Sequence, residues 1–154
     1  MQHSVKMSRA IHVLAYVAEN PNGDLSSDAI ATSIRTNPGT VRQLMSSLRK
    51  AMLLETNKGQ PLPCLAEEPE NITLAMIYEA VEGDKPILHV QHKINEECNL
   101  GKSMHVALRT YFFEIQERML DYLNTISLAD VIARSNEIRG DLTDNRRVAD
   151  ATSK

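Results

Sequence analysis

The stretch "TSIRTNPGTVRQLMSSLRK", residues 32–50, sets a proline and a glycine directly ahead of a run with helical spacing. Asn37 is a good N-cap, and Pro38 suits the first helical position, where its missing N–H would have had no partner anyway. Val41, Leu44, Met45 and Leu48 fall at i, i+3, i+4 and i+7, one narrow stripe for burial. Opposite them lie Gly39, Arg42, Gln43, Ser46 and Lys50, with no acid among them. Upstream, Ser26 or Ser27 caps a short helix through Ile34, and Arg35-Thr36 makes a tight turn. A short capped helix, a turn, and a helix with a small, polar and basic exposed face predict a helix-turn-helix that offers its second helix to a major groove. An ordinary solvated helix surface is the plainer alternative for that face.

Nearer the N-terminus, Ile11, Leu14, Ala15 and Ala18 make residues 5–19 an amphipathic helix, stopped by Asn20-Pro21-Asn22-Gly23. Residues 52–57 and 61–66 read as two short strands around Lys58-Gly59-Gln60, a wing whose second strand is an edge because Pro61 and Pro63 cannot donate to a ladder. Thr73 caps a helix carrying Leu74, Ile77, Tyr78 and Val81, and Gly83 ends it. Residues 84–101 show no sustained period and read as a loop. Met104, Leu108, Tyr111, Ile115, Met119, Tyr122 and Ile126 then recur at steps of three and four. A helix over 102–124, about 34 Å long at 1.5 Å per residue, carries more apolar surface than so small a domain covers alone. Met104, Leu108, Tyr111, Ile115, Met119 and Tyr122 are therefore assigned to a dimer interface, with packing inside one chain as the alternative. Ser127 caps a further short helix. Beyond Asn136 the chain is polar, and composition predicts disorder.

The fold class expected is thus mostly α with a small β-wing. It comprises a winged helix-turn-helix domain (1–83), a linker (84–101), a long C-terminal dimerisation helix with a short successor (102–135), and a tail (136–154). Aromatics are scarce, so Leu, Ile, Val, Ala and Met must fill the core, which favours helices over a sandwich. No run reaches the roughly 18 apolar residues of a membrane span and no leader pattern opens the chain, so a cytoplasmic protein is expected. Two cysteines, Cys64 and Cys98, are too few for a disulfide scaffold. The net charge of −3 is unevenly spread. Residues 1–60 hold seven Lys/Arg against four Asp/Glu, net +3, which leaves −6 for the remainder.

Four stretches, "MSRAIHVLAYVA" (7–18), "TNPGTVRQLMSSLRKAMLLE" (36–55), "PENITLAMIYEAVEGDKPIL" (69–88) and "NEECNLGKSMHVAL" (95–108), resemble the bacterial winged-helix regulators typified by IscR and NsrR, the Rrf2 family, and in particular its YwnA-like branch. The resemblance implies a homodimeric DNA-binding transcription factor, usually a repressor, with a long helix crossing between subunits and a sensing loop before it. In the best-known members that loop holds an iron–sulfur cluster on three clustered cysteines. Here residues 84–105 contain only Cys98, so no cofactor is expected, as in the YwnA-like members. The family's glycine-rich wing turn is reduced to Gly59, which puts minor-groove insertion in doubt and leaves Lys58 as the wing's phosphate contact.

The sites expected follow. Arg42, Arg49 and Lys50 supply phosphate or guanine contacts, Thr40, Gln43 and Ser46 reach base edges, and Asn37 presents the helix-start amides to a pseudo-palindromic double-stranded operator. Cys98, between Glu96, Glu97 and Lys102, is a candidate redox switch, with an inert cysteine as the alternative. A small molecule or an oxidant is the expected effector. His89, His92, Cys98 and His105 form a loose series that matches no closed zinc site, so no metal is expected. "LGKS" at 100–103 lacks the upstream glycine of a phosphate loop. With no nucleophile–base pairing either, the chain reads as no enzyme. A winged-helix module that binds protein rather than DNA is the rival, favoured by the acidic total charge.

Overall fold

A computed structural model describes residues 5–152 apart from 57, 58, 60, 92 and 96, with side chains described as far as Thr143. Lys58, His92 and Glu96 lie outside the described residues. The elements run α1 (Lys6–Glu19), α2 (Ser27–Ile34), α3 (Pro38–Lys50), β1 (Leu54–Thr56), β2 (Pro63–Leu65), a 3-10 turn (Pro69–Asn71), α4 (Leu74–Glu82), α5 (Asn99–Leu123) and α6 (Leu128–Thr152). The mostly helical architecture with a small wing is the one expected from the sequence.

One core joins α1, α2, α3, α4 and the start of α6. Leu14 of α1, Ile30 of α2, Val41 and Leu48 of α3, Ile77 of α4 and Leu128 of α6 are all fully buried in it. At about 25 cal/mol per Å², each such side chain contributes roughly 1.5–3 kcal/mol of transfer free energy. The caps set where the helices begin. Ser26 Oγ accepts the Ala29 N–H at 3.2 Å, Asn37 Oδ1 accepts the Thr40 N–H at 2.8 Å, and Thr73 Oγ1 accepts the Met76 N–H at 3.3 Å.

The wing is shorter than the sequence suggests. Its antiparallel pairs are Leu54 with Leu65, Glu55 with Cys64, and Thr56 with Pro63. Residues 52–53 belong instead to the stop of α3, where Met52 takes a left-handed φ of 57° and the Leu53 N–H reaches back to the Leu48 carbonyl at 2.9 Å.

The corner after α5 is pinned to the head. Leu74 N–H donates to the Ile126 carbonyl (2.9 Å), Leu128 N–H donates to the Ile72 carbonyl (2.7 Å), and Thr73 Oγ1 meets Asn124 Oδ1 at 3.0 Å. Ser127 and Asp130 then cap α6 reciprocally. Ser127 N–H and Oγ both reach Asp130 Oδ2 at 2.8 Å, and these bonds hold the Asp130 carboxyl below its usual range.

Past Asn136 the chain differs from the disordered tail that composition predicts, because α6 continues to Thr152. Asn136 Nδ2 and Arg139 Nη2 donate to Glu19 on α1 at 3.1 and 2.9 Å, so polar contacts hold a segment that has little apolar surface to bury. Those hydrogen bonds, from Asn136 first and Arg139 second, lower the Glu19 pKa.

Candidate nucleic-acid interface

α3 is held in place from beneath. Val41, Leu44, Met45 and Leu48 are buried, so the helix cannot roll without exposing them. Its outward side chains, Arg42, Gln43, Ser46, Arg49 and Lys50, are exposed, and Thr40 is half-buried at the edge of the same face. Asn37 is exposed, but its Oδ1 is committed to the cap, which leaves its amide nitrogen facing outward. The Thr40 N–H is accordingly taken, and the expectation that Asn37 offers the helix-start amides narrows to the uncapped ones. Arg49 and Lys50 also occupy the last turn, where the partial negative charge of the helix favours cations.

Gly39 keeps this end of the helix slim. A Cβ there would come within 3.1 Å of Asn37 Oδ1. Arg35, in the turn before α3, adopts φ 56° and is exposed, adding a cation beside Asn37 that the sequence reading left out. A left-handed arginine gives no sequence signal, since the turn is normally sought through glycine. Lys58 lies outside the described residues. In the wing, burial first and then the charge of Glu55, whose Oε1 lies 3.8 Å from Sγ, push the Cys64 thiol up.

The second region is α5 with the segment that precedes it. None of the 25 residues of α5 is fully buried. Of the six residues assigned to an interface, Tyr111 is 64% exposed, Tyr122 68%, Met104 and Ile115 49%, Leu108 is exposed at its margin, and Met119 is half-buried. Cys98 is the N-cap, with its exposed Sγ accepting the Gly101 N–H at 3.4 Å. Ahead of α5, Lys85 and Ile87 are tied to α4 and α5 by a latch that no sequence period announces. Tyr78 Oη donates to the Lys85 carbonyl at 3.2 Å, Gln116 Oε1 accepts the Ile87 N–H at 3.2 Å, and Gln116 Nε2 donates to Tyr78 Oη at 3.4 Å. Gln116 sits inside an apolar stripe, where the period alone hides a polar bridge.

Among the described residues no three His, Cys, Asp or Glu side chains gather to hold a metal. Cys98 is the single thiol near the loop and Cys64 lies in the wing, so the donor set does not fit an iron–sulfur cluster. No described helix is long and apolar enough to cross a membrane.

Comparison with known proteins agrees with this geometry. Residues 3–134 match the family described as "Rrf2: Iron-dependent Transcriptional regulator". The chain is 34% identical over 127 residues to the Bacillus subtilis (strain 168) protein named as HTH-type transcriptional regulator YwnA, covering 82% of this chain and 94% of that one. A crystal structure described as a DNA-binding protein superposes with a TM-score of 0.68 at 33% identity, covering 82% of this chain and 98% of that one. CymR (YrzC), the global cysteine regulator of B. subtilis, shares the fold at a TM-score of 0.62 and 22% identity, over 86% of this chain and 97% of its own.

Proposed function

Because the chain belongs to the Rrf2 family of DNA-binding transcriptional regulators, which are not enzymes, we propose that it works as a homodimeric repressor reading a pseudo-palindromic operator with paired α3 helices. The observation that carries this reading is the division of α3 into a wholly buried apolar stripe and an exposed face without acids. Two copies pair through the exposed ridge of α5, which sets the α3 helices about 34 Å apart, one turn of B-form duplex. Arg42, Arg49, Lys50 and Arg35 neutralise phosphates or bind guanine. Thr40, Gln43 and Ser46 read base edges, and Asn37 donates its amide nitrogen beside the helix start. Lys58 is assigned a phosphate contact from the wing. Cys98 is the candidate for oxidant control. A peroxide would oxidise its thiolate to a sulfenic acid, transferring one oxygen to Sγ and releasing hydroxide, and the enlarged, more polar cap would alter the bond that the Gly101 N–H makes at the first turn of α5.

Selection of bound duplexes from a random pool, followed by binding measurements across salt concentrations, tests the reading. Binding should weaken steeply with salt, since each neutralised phosphate releases counterions. A salt-insensitive interaction, or none, would leave the protein-binding rival. Repeating the selection with oxidant on the wild type and on Cys98→Ser tests the switch, which fails if the variant still releases DNA.

A further inference from the structure

Two adjoining cavities, of about 580 and 370 Å³, lie between α5 and the described residues ahead of it, 84–91 and 93–95. They share His89, Val90, His105 and Phe112 as walls. That volume suits a small organic ligand, and the mix of an apolar body with a few convergent polar groups is what such ligands occupy.

The two ends differ in charge. The larger cavity is lined by Glu79, Asp84 and Glu117 with Arg109 as its cation. Among the described residues, the smaller is lined by Lys93, His89 and His105 and by no acid, between Met104, Leu108 and Phe112. Between them His105 Nδ1 is shielded from solvent and has no hydrogen-bond partner among the described residues. A buried polar atom without a partner has lost its water and gained nothing in return, a deficit that a ligand group would relieve.

We propose that this double cavity is the effector site, and that it takes a small amphipathic organic anion. Its anionic group is held by Lys93 and His105, and its aromatic or aliphatic body lies along Phe112 toward the acid-lined end. The acids there exclude the charged group from the larger cavity and so fix the ligand's direction. Occupancy reaches the DNA-reading head through the latch. The cavity wall carries Gln116, which bonds Tyr78 of α4, and α4 packs in the core against α1 and α3. The regulatory half of this proposal rests on the DNA-binding reading above, whereas the binding half does not.

The test uses the full-length protein and two fluorescent probes of like shape, anionic 8-anilinonaphthalene-1-sulfonate and uncharged N-phenyl-1-naphthylamine. The anionic probe should saturate at one molecule per protomer and bind at least tenfold tighter than the neutral one. Lys93→Glu, an exposed position whose change leaves the thermal midpoint in place, should cost the anionic probe at least fivefold and the neutral probe nothing. His105→Leu should do the same. Unsaturable binding, or equal affinities across wild type and both variants, overturns the site. Duplex binding is measured first without probe and then at saturation. A shift of threefold or more in wild type and none in Lys93→Glu supports the coupling, and no shift overturns it. A protein that binds the probe at one site yet ignores every duplex refutes the DNA-binding reading and leaves the cavity standing.

Discussion

α3 and α5 are both amphipathic, and they resolve their apolar faces in opposite ways. α3 buries its whole stripe in its own chain and turns outward only polar and basic groups. α5 buries nothing fully and leaves Leu100, Met104, Tyr111, Ile115 and Tyr122 exposed. A helix finished within one chain is free to present chemistry to a partner of another kind. An unfinished helix needs apolar cover, and a second copy of itself supplies that most simply.

Substitutions on either helix separate the two behaviours. Leu48→Ala, at a position with no exposure beneath α3, should have the largest effect, about 3–4 kcal/mol in urea melts, and should abolish duplex binding by unfolding the head. Ile115→Asp on the α5 ridge should leave the head folded but convert the protein to monomers in sedimentation, with duplex affinity falling on the order of 100-fold as paired half-sites are lost. A dimer that survives Ile115→Asp would show that the ridge is not the interface. Gln43→Ala should redistribute the preferred sequences by about 1–3 kcal/mol at one or two base pairs. Lys50→Ala, where the ammonium meets phosphate alone, should weaken all sequences alike and reduce the salt slope by about one unit.

The smallest effects belong to α6. Glu19 has its pKa lowered by Asn136 and Arg139, so its ionised form is the stabilised one. That contribution is present above its ordinary value of 4.5 and is lost as pH falls through the lowered folded value. Arg139 is well exposed, so Glu19→Gln should cost less than about 1 kcal/mol and flatten the acid limb of the melting curve.

Most of the head was legible because its signals are local. Asn37-Pro38, Thr73 and Gly83 mark helix ends, and the stripe on α3 has a clean period. The start of α5 at Asn99 was missed by three residues because the capping residue is a cysteine, whose sulfur is a weak acceptor seldom sought at an N-cap. The Gln116–Tyr78 latch joins residues 38 apart in the chain, and the Glu19–Arg139 contact joins residues 120 apart. Pairings at such distance leave no periodic trace. That second contact ties α6 to α1 at Arg139, which composition counts as mere polarity. Of the candidate interface, exposure of the α3 side chains could be inferred from the stripe opposite, but the left-handed Arg35 beside them could not.

Pinning of the corner at residues 124–128 gives α5 the mechanics of a boom stepped at one end. From Asn124 back to Asn99 the arm is about 37 Å long at 1.5 Å per residue. A tilt of about 5° at the foot therefore sweeps the tip by roughly 3 Å, by the same rise per residue. Gearing of that kind works in both directions, so a modest swelling beside the tip translates into a small rotation at the mast-foot, where one duplex-facing unit is aimed relative to its twin.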